Sequence, residues 1–197
     1  MIAVVAILIA VFATGCVHTQ VQTSRISERF PPIGTIADAD GIRMHAMHVP
    51  AGEQADLPKL VFIHGASGNL RDQYEAFAAP LRGRAEMLFI DRPGHGWSES
   101  DGEAYDTPDA QARAIAATME NYGFDKAVIV GHSYGGAVIA SFALAYPDKL
   151  LGLLFLSPAT HPWPGGVALY NDIAAMPVVG SLFANTLTLP AGMGRIK

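Results

Sequence analysis

From Ile33 onward, short apolar runs alternate with longer mixed stretches that carry helix starts and stops, the pattern of an α/β chain. Asp40-Gly41 is a tight-turn signal between two strand-like stretches, 33–39 and 42–48, and predicts a β-hairpin. Lys59-Leu60-Val61-Phe62-Ile63 is an unbroken apolar run suited to a strand buried on both faces. Asn69 predicts a helix cap, with the helix running to Leu81 and stopped by Gly83. A second buried strand is expected over 85–90. Thr107 followed by Pro108 starts another helix, with threonine as cap and proline in the first turn, ending at Tyr122-Gly123. A third buried strand, 127–130, leads into a small-residue helix over 135–146 that Pro147 closes, and a further strand covers 150–156. After Ser157 the alternation stops. Three apolar clusters follow, broken by Pro162-Trp163-Pro164-Gly165-Gly166, Pro177 and Pro190, and they predict one or two short helices laid over something else.

The amino terminus has a different character. Residues 1–12 are almost wholly aliphatic, and no Lys or Arg precedes Arg25. Such a segment is short for a membrane span, which needs roughly 20 residues, but it suits the apolar region of a signal peptide ending at Ala13-Thr14-Gly15. Cys16 directly after Gly15 resembles a bacterial lipoprotein cleavage box, in which that cysteine is lipidated and becomes the new terminus. The box departs from the usual pattern in having Ala13 three before the cysteine and no basic flank. An uncleaved anchor and ordinary export are the alternatives. All three place the chain in a bacterial cell envelope, and the lipid or the anchor would add contact with the membrane. The expected divisions are a signal over 1–15, a linker over 16–32, a core over 33–157 and a partial lid over 158–197.

A length of 197 residues fits one domain with a substantial core. Half the residues are apolar and 16% are charged, which excludes disorder. The net charge of -5 provides no basic patch, so nucleic-acid binding has no footing. A single cysteine, Cys16, excludes an internal disulfide and a cysteine-based metal site. No metal or organic cofactor is expected.

The chemistry sits at Gly131-His132-Ser133-Tyr134-Gly135, a G-x-S-x-G pentapeptide between a buried strand and a helix of small residues. That context is what a serine nucleophile on a strand-to-helix elbow requires. Gly131 and Gly135 relieve crowding at the turn, and Gly136 lets the helix approach its neighbours. His64-Gly65-Ala66-Ser67-Gly68 follows the first buried strand, and Asp91-Arg92-Pro93-Gly94-His95-Gly96 follows the second. With these three motifs in order on their strands, the chain resembles the alpha/beta-hydrolase superfamily. It is most similar to its esterase-like and haloperoxidase-like branch with a serine nucleophile.

The resemblance covers residues 33–189 and implies a mostly parallel sheet of the alpha/beta-hydrolase type with an N-terminal hairpin. It implies a serine hydrolase of the carboxylic-ester kind, acting on a small ester-like substrate through an acyl-enzyme. Ser133 would be the nucleophile, and the backbone N–H groups of Ala66 and Tyr134 the oxyanion hole. His161 and Trp163 would belong to the substrate pocket or lid. The apolar stripe of Trp163, Tyr170, Met176 and Phe183 reads either as that lid, favouring a hydrophobic acyl or alcohol group, or as packing against further helices.

The family order is serine, then acid, then histidine. His64 and His95 precede the nucleophile and are expected to brace their loops. His132 is expected to point away from the site, and Asp91 to be a structural hydrogen-bonding aspartate. Asp172 falls in the lid, and Glu99, Asp101 and Glu103 read as a solvated loop. No residue of this chain occupies the family's acid or histidine position, since two further strands and those residues would follow. The expectation is therefore a hydrolase fragment without turnover. A non-catalytic binding protein on the same fold is the alternative. A dinucleotide-binding sheet is excluded, because no G-x-G-x-x-G follows the first strand. The oligomeric state is left open.

Overall fold

In the computed structural model, the described residues are 2–161, 169–174, 176, 179–183 and 186. The chain divides into two compact units, Pro32–Pro162 and a second made of Met1–Pro31 with Trp163–Lys197.

The larger unit holds a six-stranded sheet. Its elements are β1 (Thr35–Ala39), β2 (Ile42–Val49), β3 (Leu60–Ile63), α2 (Leu70–Leu81), β4 (Met87–Ile90), α3 (Pro108–Asn121), β5 (Ala127–His132), α4 (Gly135–Ala145) and β6 (Leu150–Leu156). The strand order is β1-β2-β4-β3-β5-β6. The pairs β3/β4, β3/β5 and β5/β6 are parallel, whereas β1/β2 and β2/β4 are antiparallel. This is the expected mostly parallel α/β sheet opened by a hairpin.

Local chemistry explains the elements. Asp40 and Gly41 take φ of 60° and 83°, the left-handed pair that a two-residue hairpin turn demands, and they join Ala39 directly to its partner Ile42. The Asp40 carboxylate then accepts from Arg113 Nε at 2.7 Å and from the Tyr105 hydroxyl at 3.0 Å, which ties the turn to α3. Asn69 and Asp72 form a reciprocal capping box at the start of α2, and Thr107 caps α3 with Pro108 in its first turn.

Side chains alternate across the buried strands and feed two cores. Val61, Ile63, Leu88 and Ile90 pack with Ile115, Met119, Ile139 and Phe142 of α3 and α4. Phe62, Met87 and Phe89 pack with Leu70 and Ala78 of α2, where the Phe62 and Phe89 rings stack at 4.5 Å. Helices therefore cover both faces, and the loops after β3, β4 and β5 open together at the carboxyl ends of the strands, where open α/β sheets bind ligands.

Strand edges differ from the apolar runs. β4 begins at Met87 although apolar character starts at Ala85, which bonds back to Leu81 in the turn leaving α2. β5 continues past Val130 to His132, because β6 supplies ladder partners as far as Leu156.

In the second unit, α1 spans Ile2–Arg29 without a break, crossing the division expected at residue 15 and placing Cys16 mid-helix and half-buried. No Pro or further Gly interrupts residues 16–29, so nothing local ends the helix before Pro31-Pro32. No described helix is long and apolar enough to cross a membrane. Two short helices, α5 (Leu169–Ala174) and α6 (Val179–Phe183), fall in the stretch where one or two are expected. Trp163 lies outside the described residues.

Candidate active site

Register sets the site. Ile63 of β3 pairs with Gly131 of β5, so the His64-Gly65 turn and the Ser133 turn leave the sheet at the same level. They touch because glycine stands at each point of approach. A Cβ on Gly65 would lie 3.1 Å from Ser133 Cβ, and one on Gly131 would lie 2.6 Å from the Gly135 carbonyl oxygen. One on Gly135 would run into the Ile63 and His64 carbonyls, and one on Gly136 would press on Pro158.

Ser133 itself has a φ of 50°, in the left-handed region that a serine rarely adopts. Its backbone is held there from three directions. Its N–H donates to Leu156 O at 3.1 Å, and its carbonyl accepts from Gly136 N at 2.8 Å and Ala159 N at 2.9 Å. The loop leaving β6 shares the constraint, since Ser157 also has a positive φ of 44°. The hydroxyl of Ser133 has no hydrogen-bond partner among the described residues. The amides of Ala66 and Tyr134 likewise donate to no protein acceptor among the described residues.

Two depressions flank Ala66. One, of about 290 Å³, is lined by Gly65, Ala66, Ser67, Gly68, Asp72, His132 and Ser133. The expectation that His132 points away is corrected here. Its ring is exposed and stands with Ser133 in this depression, because the missing Gly65 side chain leaves room for Nδ1 at the loop. The other, of about 350 Å³, has Arg92, His95, Gln111 and Tyr134 in its wall. The Tyr134 side chain thus faces a different hollow from Ser133.

His64 and His95 bond within the loops, whereas Asp91 also reaches β2 and α2. His64 is buried, donating through Nδ1 to Gly65 O at 2.8 Å while Nε2 accepts the Arg92 amide at 3.0 Å. An amide can only donate, so the ring is the neutral Nδ1–H tautomer. Burial, and next the Arg92 charge, pulls its pKa down to about 3. The unfolded chain, with an ordinary histidine near 6.5, therefore binds a proton that the folded chain refuses. Stability is expected to be full above about pH 6.5 and to fall toward pH 3, by at most about 1.4 kcal/mol per pH unit from this group. Urea midpoints at pH 7, 5.5 and 4.5 check this, with a shallower fall expected in His64→Asn.

His95 donates through Nδ1 to Pro93 O at 3.0 Å, and its Nε2, 3.0 Å from Ala66 O, is left to accept from Arg92 Nη2 at 3.2 Å. Asp91 is 1% exposed and accepts from Leu70 N at 2.7 Å and Trp97 N at 2.9 Å, with His45 Nδ1 at 2.7 Å. Burial alone would raise its pKa, but these donors outweigh it and hold the carboxyl below its usual range. His161 follows β6, is exposed, pairs with Thr160 Oγ1 at 2.9 Å and lines neither depression. Asp172 is exposed on α5. Among the described residues no cluster of three or more His, Cys, Asp or Glu could hold a metal.

Two residues carry more than the sequence suggests. His45 looks like one more position in a hairpin strand, yet it is the buried partner of Asp91. Arg92 reads as a loop charge, yet it is 1% exposed and binds the carbonyls of both His64 and Gly65. Only its place directly after a strand-ending aspartate could have marked it.

The family model of the alpha/beta hydrolase fold matches residues 58–177. A dihydrolipoyllysine-residue acetyltransferase component of an acetoin cleaving system from Cupriavidus necator is 35% identical over 156 residues, which is 76% of this chain and 40% of that protein. A 2-hydroxy-6-oxononadienedioate/2-hydroxy-6-oxononatrienedioate hydrolase from Burkholderia vietnamiensis is 27% identical over 83% of this chain and 52% of its own. Among solved structures, a thermophilic esterase from Thermogutta terrifontis superposes with a TM-score of 0.58 at 26% identity, covering 71% of this chain and 50% of that one. The chain spans about half or less of the length of each.

Proposed function

Because the chain belongs to the alpha/beta hydrolase fold family, we propose that Ser133 is the nucleophile of a serine hydrolase lineage acting on small ester-like molecules. The observation that carries this reading is the left-handed φ of 50° at Ser133. Such strain persists only where the surroundings enforce it, and it concentrates at sites of chemistry.

In the proposed reaction, Ser133 Oγ attacks the ester carbonyl and its proton passes to a base. The carbonyl oxygen becomes an oxyanion facing the Ala66 and Tyr134 amides, and each such donor typically contributes about 3 kcal/mol to the transition state. Collapse expels the alcohol and leaves an acyl group on Ser133, which water then removes. The family places the base late in the chain, and among the described residues no histidine bonds the Ser133 hydroxyl. A serine without its base is a weak nucleophile at neutral pH. The 197-residue chain is therefore expected to retain no more than the roughly 10³–10⁴-fold acceleration over water that such sites keep without their triad. That same lack of a bonded base favours, as a second reading, a non-catalytic binding protein on this fold.

A fluorophosphonate probe separates these. Slow labelling that mass spectrometry maps to Ser133, absent in Ser133→Ala, is the expected result, with ester turnover no higher than that of the variant. No adduct at Ser133 after prolonged exposure would leave only the binding reading. Rapid labelling with turnover would overturn the loss of activity.

A further inference from the structure

The hollow on the far side of Ala66 from Ser133 is bordered by a buried charge that bonds no carboxylate among the described residues. Arg92 is 1% exposed, and buried guanidinium groups are ordinarily paired with a carboxylate. Here every recorded partner is neutral. Nε donates to His64 O at 3.1 Å, Nη1 to Gln111 Oε1 at 2.8 Å and Nη2 to Gly65 O at 2.9 Å, with His95 Nε2 at 3.2 Å from Nη2. One Nη1 hydrogen has no acceptor among the described residues. Asp91 is occupied by His45 and two amides. Burial pulls the Arg92 pKa down to about 10, with only the Tyr134 phenol acting against it.

Arg92 and Gln111 both border the hollow of about 350 Å³, large enough for a small molecule. Tyr134 lines it too, with its ring 5.0 Å from the guanidinium carbon and its hydroxyl bonded to no group among the described residues. The wall thus offers a fixed positive charge, a free guanidinium hydrogen and a free phenol. Asp106 on the rim is the opposing charge, exposed to solvent.

We propose that this hollow is a subsite for the carboxylate of an acidic small molecule, held by Arg92 and the Tyr134 hydroxyl. A single negative charge matches the single guanidinium, whereas a phosphate dianion would place surplus negative charge near Asp106. The position gives the subsite its role. Tyr134 presents its side chain to this hollow and follows Ser133 directly in the chain, and Ala66 lines both depressions, so a molecule anchored here by an acid would reach past Ala66 toward the serine hydroxyl. The substrate class is then a carboxylic acid carrying a second, ester-like carbonyl. This assignment of role rests on the Ser133 reading, but binding to the hollow does not.

The test is a titration of the isotope-labelled chain with the singly charged half-ester sodium monomethyl succinate (hereafter succinate), sodium sulfate or neutral dimethyl succinate at constant ionic strength, followed by amide NMR. Succinate is expected to shift the amides of Gly94, His95 and Tyr134 and to bind at least fivefold more tightly than dimethyl succinate or sulfate. Tyr134→Phe keeps every Arg92 hydrogen bond and should weaken succinate severalfold. Arg92→Gln, where it folds, should abolish binding. Ser133→Ala should bind succinate as the parent does, so failure of the nucleophile reading leaves this result standing. Equal binding of succinate and its diester, tighter binding of sulfate, shifts that map elsewhere, or an unchanged affinity in Tyr134→Phe would each overturn the proposal.

Discussion

Gly135→Ala is expected to destabilise the chain by about 4 kcal/mol, near the upper limit for a single substitution. Helix propensity alone forecasts the opposite sign, because alanine inside a helix is favoured over glycine by up to about 1 kcal/mol. The difference lies in what the new methyl group would meet. At Gly135 it meets the carbonyl oxygens of Ile63 and His64, which are backbone atoms at the end of β3. Those atoms are fixed by the Ile63–Gly131 and Ile63–Ile90 pairings, so they cannot withdraw without opening the central ladder. Urea unfolding followed by circular dichroism decides between the two signs. A Gly135→Ala chain as stable as the parent would mean that β3 and the α4 turn are not in close contact.

Asp91→Ala is expected to cost about 3–5 kcal/mol, because it strands several buried donors at once. The Leu70 amide at the first turn of α2, the Trp97 amide and the His45 ring all lose their acceptor. Ser98 adds to the coupling by donating to Asp91 O at 2.7 Å while accepting the His45 amide at 2.9 Å. One carboxylate therefore joins the hairpin, α2 and the loop that carries His95. Asp91→Asn should lose less, since its oxygen still accepts while the amide cannot satisfy the remaining donors. The same urea series ranks parent, Asn and Ala variants; an Ala variant within about 1 kcal/mol of the parent would show that these donors find water instead. Because the folded carboxyl is held below its usual range, its contribution is full above that range and is lost only in strong acid.

Much of the larger unit is legible in the sequence because its signals are local. Asn69, Thr107-Pro108 and Asp40-Gly41 each dictate a cap or turn by their own chemistry, and the apolar runs are too short and continuous to be anything but buried strands. The spacing of Gly131, Gly135 and Gly136 also reads directly, since each meets a neighbour that excludes a side chain. What stays hidden depends on partners far along the chain. His45 and Asp91 are 46 residues apart, and nothing in either neighbourhood reveals the other. The extension of β5 to His132 depends on β6, and the outward turn of His132 depends on the bare Gly65. Arg92 looks like any loop arginine until the two carbonyls it holds are brought to it by β3.

The left-handed backbone at Ser133 has a further consequence. Glycine adopts that conformation without penalty, and the flanking positions 131, 135 and 136 already hold glycine where crowding requires it. A serine retained in the one place of this turn where glycine would relax the backbone sets folding and chemistry in opposition. On the proposed reading, position 133 is therefore a site of trade-off: its hydroxyl is kept at the expense of stability, and selection for a sturdier fold alone would remove it first.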